Sequence, residues 1–278
     1  MNKNIFAVVA FAQIASLSLL VSPAEVIQGE PFFVRINGAA NIASVKSVTF
    51  DGAAAGIFMY QGKPAVLLGI DLNKKPGSYE LITKLSDGQV QKKTVDVGAR
   101  KKIVAPLGIP EKLGGNTPAS QKALVNALAE ENASLANIRT GTKAFWTEKF
   151  LMPLKEIIVT DPYGYSRQTG EYSIAHKGAD FRAKESTPIM AINRGVVRVA
   201  KTYREYGKTI VVDHGLGLMS FYMHLSKIKV NVGELVGRGQ VIGLAGQTGY
   251  AESPHLHLTV RINGFSIDPI KFFGLFQF

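Results

Sequence analysis

The chain has 278 residues, 46% of them hydrophobic and 19% charged, so it can bury a sizeable core and is not a disordered chain. It has no cysteine, which excludes disulfides, thiol catalysis, cysteine-ligated zinc and a lipid anchor on cysteine. The formal net charge of +11 favours polyanionic partners such as an acidic cell-wall polymer, yet the basic residues are scattered and their densest clusters, Lys74–Lys75 and Arg100–Lys102, are short, so nucleic acid is not expected.

The opening stretch, residues 1–24, has one lysine and then an apolar run from Ile5 to about Val21. It reads as a secretory signal peptide or a retained membrane anchor, and small residues allow cleavage after Ala12 or after Ala24. Either way the bulk of the chain is expected to be exported, to the periplasm or cell envelope.

Residues 25–99 alternate short apolar runs with turn residues: "PFFVRI", "VKSVTFDG", "PAVLLGIDL" and "YELITKLSDGQVQKKTVDV". Asp87-Gly88 between two such runs is a hairpin signal. The expectation is an immunoglobulin-like β-sandwich with nothing catalytic in it, since it contains no histidine.

Residues 100–155 read as a connector. Thr117-Pro118 caps a helix with proline at its first position, and Leu124, Leu128, Leu135 and Ile138 follow at near-helical spacing. The single tryptophan, Trp146, with Phe145 and Phe150 beside it, is expected to anchor the connector on the next domain.

Residues 156–278 return to strand patterns and hold all five histidines: His176, His214, His224, His255 and His257. In "HLHLTVRI" the side chains alternate, so His255, His257, Thr259 and Arg261 share a polar face while Leu256, Leu258, Val260 and Ile262 share an apolar one. The same rule applied to "SFYMHL" puts Ser220, Tyr222 and His224 on one side. "HKGADF" adds His176 and Asp180. A catalytic zinc site takes three protein ligands and leaves a position open, which two histidines and one aspartate satisfy. Further histidines nearby would then suit proton transfer near neutral pH. His214, in "VVDHGLG", reads as a turn histidine bonded to backbone.

These words carry a resemblance. "YGYSR", "HKGADF", "TPIMAINRGVVRVA", "GKTIVVDHGLGLMSFYMHLS", "VNVGELVGRGQVIGLAGQTG" and "PHLHLTV" occur in the order seen in the LytM-type, lysostaphin-like zinc peptidases of family M23, which act on bacterial cell walls. The resemblance implies an antiparallel β-sheet peptidase domain and one zinc ion per chain. It implies His176, Asp180 and His257 as the metal ligands, His255 as general base, and His224 as the residue that orients water or stabilises the oxyanion. It also implies an endopeptidase with peptidoglycan as partner, cleaving stem peptides or cross-bridges. Tyr163, Tyr165 and Tyr172 are candidate cleft aromatics. The alternative expectation is a non-catalytic or latent peptidoglycan-binding regulator of another cell-wall hydrolase. Oligomeric state and the bond cleaved are not legible.

Overall fold

The structure, a computed structural model, describes residues 17–276 and is mainly β. No helix among the described residues is long and apolar enough to cross a membrane. Most of the expected leader lies outside the described residues. Its last part, Ser18–Ser22, is a strand paired antiparallel with Pro31–Asn37, with Leu19 and Val21 buried. Cleavage after Ala24 would remove that strand, and cleavage after Ala12 would keep it.

Two sheets pack face to face in the N-terminal half. One has the order Ser18–Ser22, Pro31–Asn37, Lys63–Gly69, Ile57–Tyr60, and the other Val26–Ile27, Val90–Gly98, Gly77–Leu85, Val45–Phe50, Ala53–Ala54. Alternation explains the core between them. Phe32, Val34 and Ile36 point inward with Val66 and Leu68, and they meet Val48, Leu81, Val95 and Val97 of the facing sheet. The Asp87-Gly88 hairpin joins Gly77–Leu85 to Val90–Gly98, with Gly88 at φ +93° as the turn requires.

The runs "PFFV" and "AVLL" are apolar on both sides because both faces of this sheet are covered. Phe33, Ala65 and Leu67 face away from the sandwich and join the core of the C-terminal half. Trp146 sits at this junction, 4.6 Å from Phe58, 5.1 Å from Phe150 and 5.8 Å from Phe276, all in edge geometry. It docks the connector as its aromatic neighbourhood suggests, and onto both halves at once.

The connector helix spans Pro118–Ala136, capped by the Thr117 side chain on the Ser120 N–H. Leu124 and Leu135 are buried, whereas Ile138 lies beyond the helix. The C-terminal half is built on a long antiparallel sheet running Val159–Asp161, Ala179–Arg182, His255–Ile262, Leu218–Leu225, Lys208–Gly215, Gly195–Thr202 and Leu235–Val236. Leu256, Leu258, Val260 and Ile262 are all buried in its core, as the alternation predicts.

Candidate active site

The register of two adjacent strands brings the first groups together. Asp180 lies directly across from His257, and Arg182 across from His255. Ala179 and Phe181 of the same strand are fully buried, so Asp180 and Arg182 share the opposite face with the two histidines. His176 approaches from the turn before Ala179–Arg182. Gly178 makes that approach possible: a Cβ there would overlap the His257 ring and the Leu258 carbonyl.

The three inner atoms converge closely. His176 Nε2 is 3.2 Å from Asp180 Oδ1 and 3.1 Å from His257 Nδ1, and His257 Nδ1 is 2.8 Å from Asp180 Oδ1. The outer nitrogens fix the protons. His176 Nδ1 faces the Pro162 carbonyl at 3.0 Å, and a carbonyl can only accept, so Nδ1 carries the proton. His257 Nε2 faces Thr259 Oγ1 at 3.0 Å, and that hydroxyl gives its own hydrogen to the Lys177 carbonyl, so it accepts from His257. Both inner nitrogens therefore present lone pairs to a carboxylate.

Three acceptors at this separation are stable only around a positive charge. A proton serves one pair at a time, whereas a divalent cation serves all three. Ligand atoms about 2.0–2.2 Å from a tetrahedral zinc stand roughly 3.3–3.6 Å from one another, close to the spacing seen here. Nitrogen, nitrogen and carboxylate oxygen, each oriented by an outer partner, form a donor set that fits a metal ion.

Two more imidazoles border this triangle. His224 lies with its ring 4.9 Å from that of His255 and 6.0 Å from that of His257. Its Nδ1 donates to the Thr248 carbonyl at 2.9 Å, and His255 Nδ1 donates to the Ser253 carbonyl at 2.8 Å. His255 Nε2 stands 3.9 Å from Asp180 Oδ1. Every histidine of the cluster is thus pinned by an outer oxygen and left with one unprotonated nitrogen.

Electrostatics follows from burial and crowding. Burial, then the nearby His255 and His257 rings, pushes the His224 pKa down to about 3. Burial likewise lowers His257, with Asp180 opposing. The Arg167 guanidinium lies 3.5 Å from Asp180 Oδ2 and makes a close ion pair with Asp161.

The strand Leu218–Leu225 does not follow simple alternation. His224 adopts φ +60°, which breaks the period-2 pattern at the strand's end. Tyr222 and Leu225 are core residues, while His224 lines the cleft with Met223. The expected grouping of Ser220, Tyr222 and His224 on one face is therefore corrected: Tyr222 and Ser220 bond to each other, and Ser220 bonds to His214, away from the cleft. His214 is bonded to backbone, with Nδ1 donating to the Arg194 carbonyl at 2.9 Å, but it lies in the strand Lys208–Gly215 and is fully buried.

The cluster floors a cleft of about 810 Å³. Its walls include Pro106–Gly108 and Val125, Leu128 and Asn132 of the connector helix. Sequence reasoning missed this contribution because it depends on a long-range approach. Of the candidate aromatics, Tyr163 is buried with its hydroxyl donating to the Ser266 carbonyl at 2.7 Å, and neither Tyr165 nor Tyr172 lines the cleft. Tyr206 and Tyr250 do. Tyr250 donates to the Gly108 carbonyl, and Glu131 of the helix accepts from the Glu205 and Tyr206 N–H groups at 2.9 and 3.1 Å.

Comparison with known proteins agrees with the motif words. Residues 174–269 match peptidase family M23. Peptidoglycan DD-endopeptidase ShyA of Vibrio cholerae serotype O1 is 40% identical over 96 residues, 34% of this chain and 22% of that protein. Lysostaphin of Staphylococcus staphylolyticus is 37% identical over 122 residues, 40% of this chain and 24% of that protein. The chain thus spans about a quarter of the length of these curated relatives. The crystal structure of a candidate M23 peptidase from Pseudomonas aeruginosa aligns over 90% of this chain and 96% of that one, with a TM-score of 0.64 at 27% identity. The similarity to that structure therefore extends beyond the matched domain into the N-terminal half.

Proposed function

We propose that this chain, whose residues 174–269 belong to peptidase family M23, is an exported zinc-dependent endopeptidase that hydrolyses peptide bonds in peptidoglycan stem peptides or cross-bridges. The observation that carries the reading is the convergence of His176 Nε2, Asp180 Oδ1 and His257 Nδ1 within 3.2 Å of one another, beside two further imidazoles with free nitrogens. The names of the relatives support peptidoglycan as substrate class, and the apolar run at Ile5–Val21 supports export to the periplasm or cell envelope.

In this reading His176, Asp180 and His257 hold the ion. Zinc held there supplies Lewis-acid chemistry, drawing electrons from a carbonyl and making water more acidic. The chain's own residues do the rest. His255, with Nδ1–H fixed on the Ser253 carbonyl, offers Nε2 as the acceptor for the proton leaving the attacking water. It then returns that proton to the departing amine. His224 keeps its proton on Nδ1 and stays neutral, so its Nε2 orients water by accepting. Of the two roles the resemblance implies for His224, its hydrogen bonding favours this one over donation to an oxyanion. Arg167 holds Oδ2 of Asp180, which leaves Oδ1 for the ion.

The test is digestion of purified peptidoglycan with mass analysis of the released peptides, alongside His257→Ala. The reading expects peptide release by the wild type and loss of about a thousandfold or more in the variant. A variant that digests as well as the wild type would defeat it.

A further inference from the structure

The cleft is lined by four basic side chains that differ in how they are engaged. Arg167 is committed to Asp161 and Asp180. Arg261 lies over the Phe221 ring at 4.3 Å and donates to the Leu135 carbonyl at 3.0 Å. Arg182 and Lys177 line the cleft as exposed cations. Among the described residues, no hydrogen bond or ion pair joins the Arg182 guanidinium to an acceptor.

Position makes Arg182 the more informative of the two. It is the direct cross-strand neighbour of His255 and lies two residues beyond Asp180 on the same strand face. A guanidinium there has five donors, a fixed charge and a planar fork that matches a carboxylate. The nearby acids do not neutralise it: Asp161 is taken by Arg167, and Asp180 faces the histidines. Its place across from His255 puts it on the rim of the same cleft as that ring. Other cleft surfaces, at Val125 and Leu128 of the connector helix, are apolar and suit small aliphatic side chains.

We propose that Arg182 is an anion anchor that selects peptides carrying a free carboxylate close to the bond attacked. The proposal rests on the peptidase reading and names the substrate class of that same site: an acidic peptide with small apolar side chains. The carboxylate can be the peptide's C-terminus or an acidic side chain, and both present the same fork-shaped acceptor to the guanidinium.

The experiment is titration calorimetry on the full chain, as purified and again after chelation. The probe is an alanine pentapeptide with one internal glutamate, in four forms: unmodified, with the C-terminus amidated, with the side chain amidated, and with both amidated. Hydrolysis is followed in the same samples. The wild type should bind at least one carboxylate form about 10- to 100-fold tighter than the doubly amidated form, the effect of one or two charge-assisted hydrogen bonds. The singly amidated forms identify which carboxylate is read. Arg182→Ala should erase the preference, and Arg182→Lys should keep part of it. Arg182 is exposed, so neither change disturbs the core. Equal affinity for all forms, no binding of any form, or a preference unchanged in Arg182→Ala overturns the anchor. Turnover in the samples without chelator reports on the peptidase reading separately: a preference without hydrolysis counts against catalysis alone, and hydrolysis without a preference counts against the anchor alone.

Discussion

His176 Nε2 and His257 Nδ1 face each other at 3.1 Å, and the outer nitrogen of each ring already holds its proton against an oxygen. Two lone pairs this close to each other and to a carboxylate define a place for positive charge. The outer partners therefore matter as much as the inner atoms. Thr259→Val keeps the shape of the side chain but removes the acceptor for His257 Nε2–H. Loss of such an orienting partner should weaken metal affinity about 10- to 100-fold while leaving the fold intact. Competition titration with a chelator of known affinity measures it, and unchanged affinity would show that Thr259 does not orient the ring.

Glu131 ties the connector helix to the cleft rim through the backbone N–H groups of Glu205 and Tyr206. Glu131 and Glu205 are buried, and Tyr206 is half-buried. Glu131→Ala leaves two donors without their acceptor and should cost about 3 kcal/mol in stability. Urea denaturation would report this as a lowered midpoint, and a change under about 0.5 kcal/mol, the range of ordinary surface substitutions, would contradict it.

His214 is buried in neutral form, and burial lowers its pKa to about 4 from an ordinary 6.5. Between those values the unfolded chain binds a proton that the folded chain does not. Stability from this group is therefore complete above pH 6.5 and is lost as pH falls toward 4, by about 3 kcal/mol in all. His214→Gln removes the titrating group, so its stability should fall less steeply over this interval, by about one proton. Denaturation midpoints at half-unit pH steps give the two slopes, and parallel slopes would be the contrary result.

Trp146 joins the N-terminal sheet to the C-terminal half through Phe58, Phe150 and Phe276. Trp146→Ala should cost about 3–5 kcal/mol as a cavity opens between them. Trp146→Phe should cost less than half of that, because the indole Nε1–H is buried without an acceptor and its loss carries no penalty. Scanning calorimetry of both variants tests the order.

The legibility of the chain followed the range of the interactions. The strand His255–Ile262 was readable because one face met a core and the other a cleft, so period-2 alternation survived intact. The grouping of His224 failed because a single residue at positive φ reset the alternation, and nothing in "SFYMHL" signals that. The helix was placed by Thr117-Pro118 and its leucines. Its position along the cleft was invisible, since it rests on Glu131 meeting backbone groups some seventy residues away. Arg182 was passed over because one arginine in a basic chain carries no signal until the strand register sets it beside His255. Thr259 was put on the polar face, but its task depends on a ring orientation that sequence does not contain.

The central claim is that His176, Asp180 and His257 together form one cation site. Metal analysis of the chain after dialysis against trace zinc tests it most directly, with His176→Ala, Asp180→Ala and His257→Ala treated alongside. The account predicts close to one zinc per wild-type chain and near none in each folded variant. A wild type that retains no metal, or variants that retain as much as it does, would contradict it.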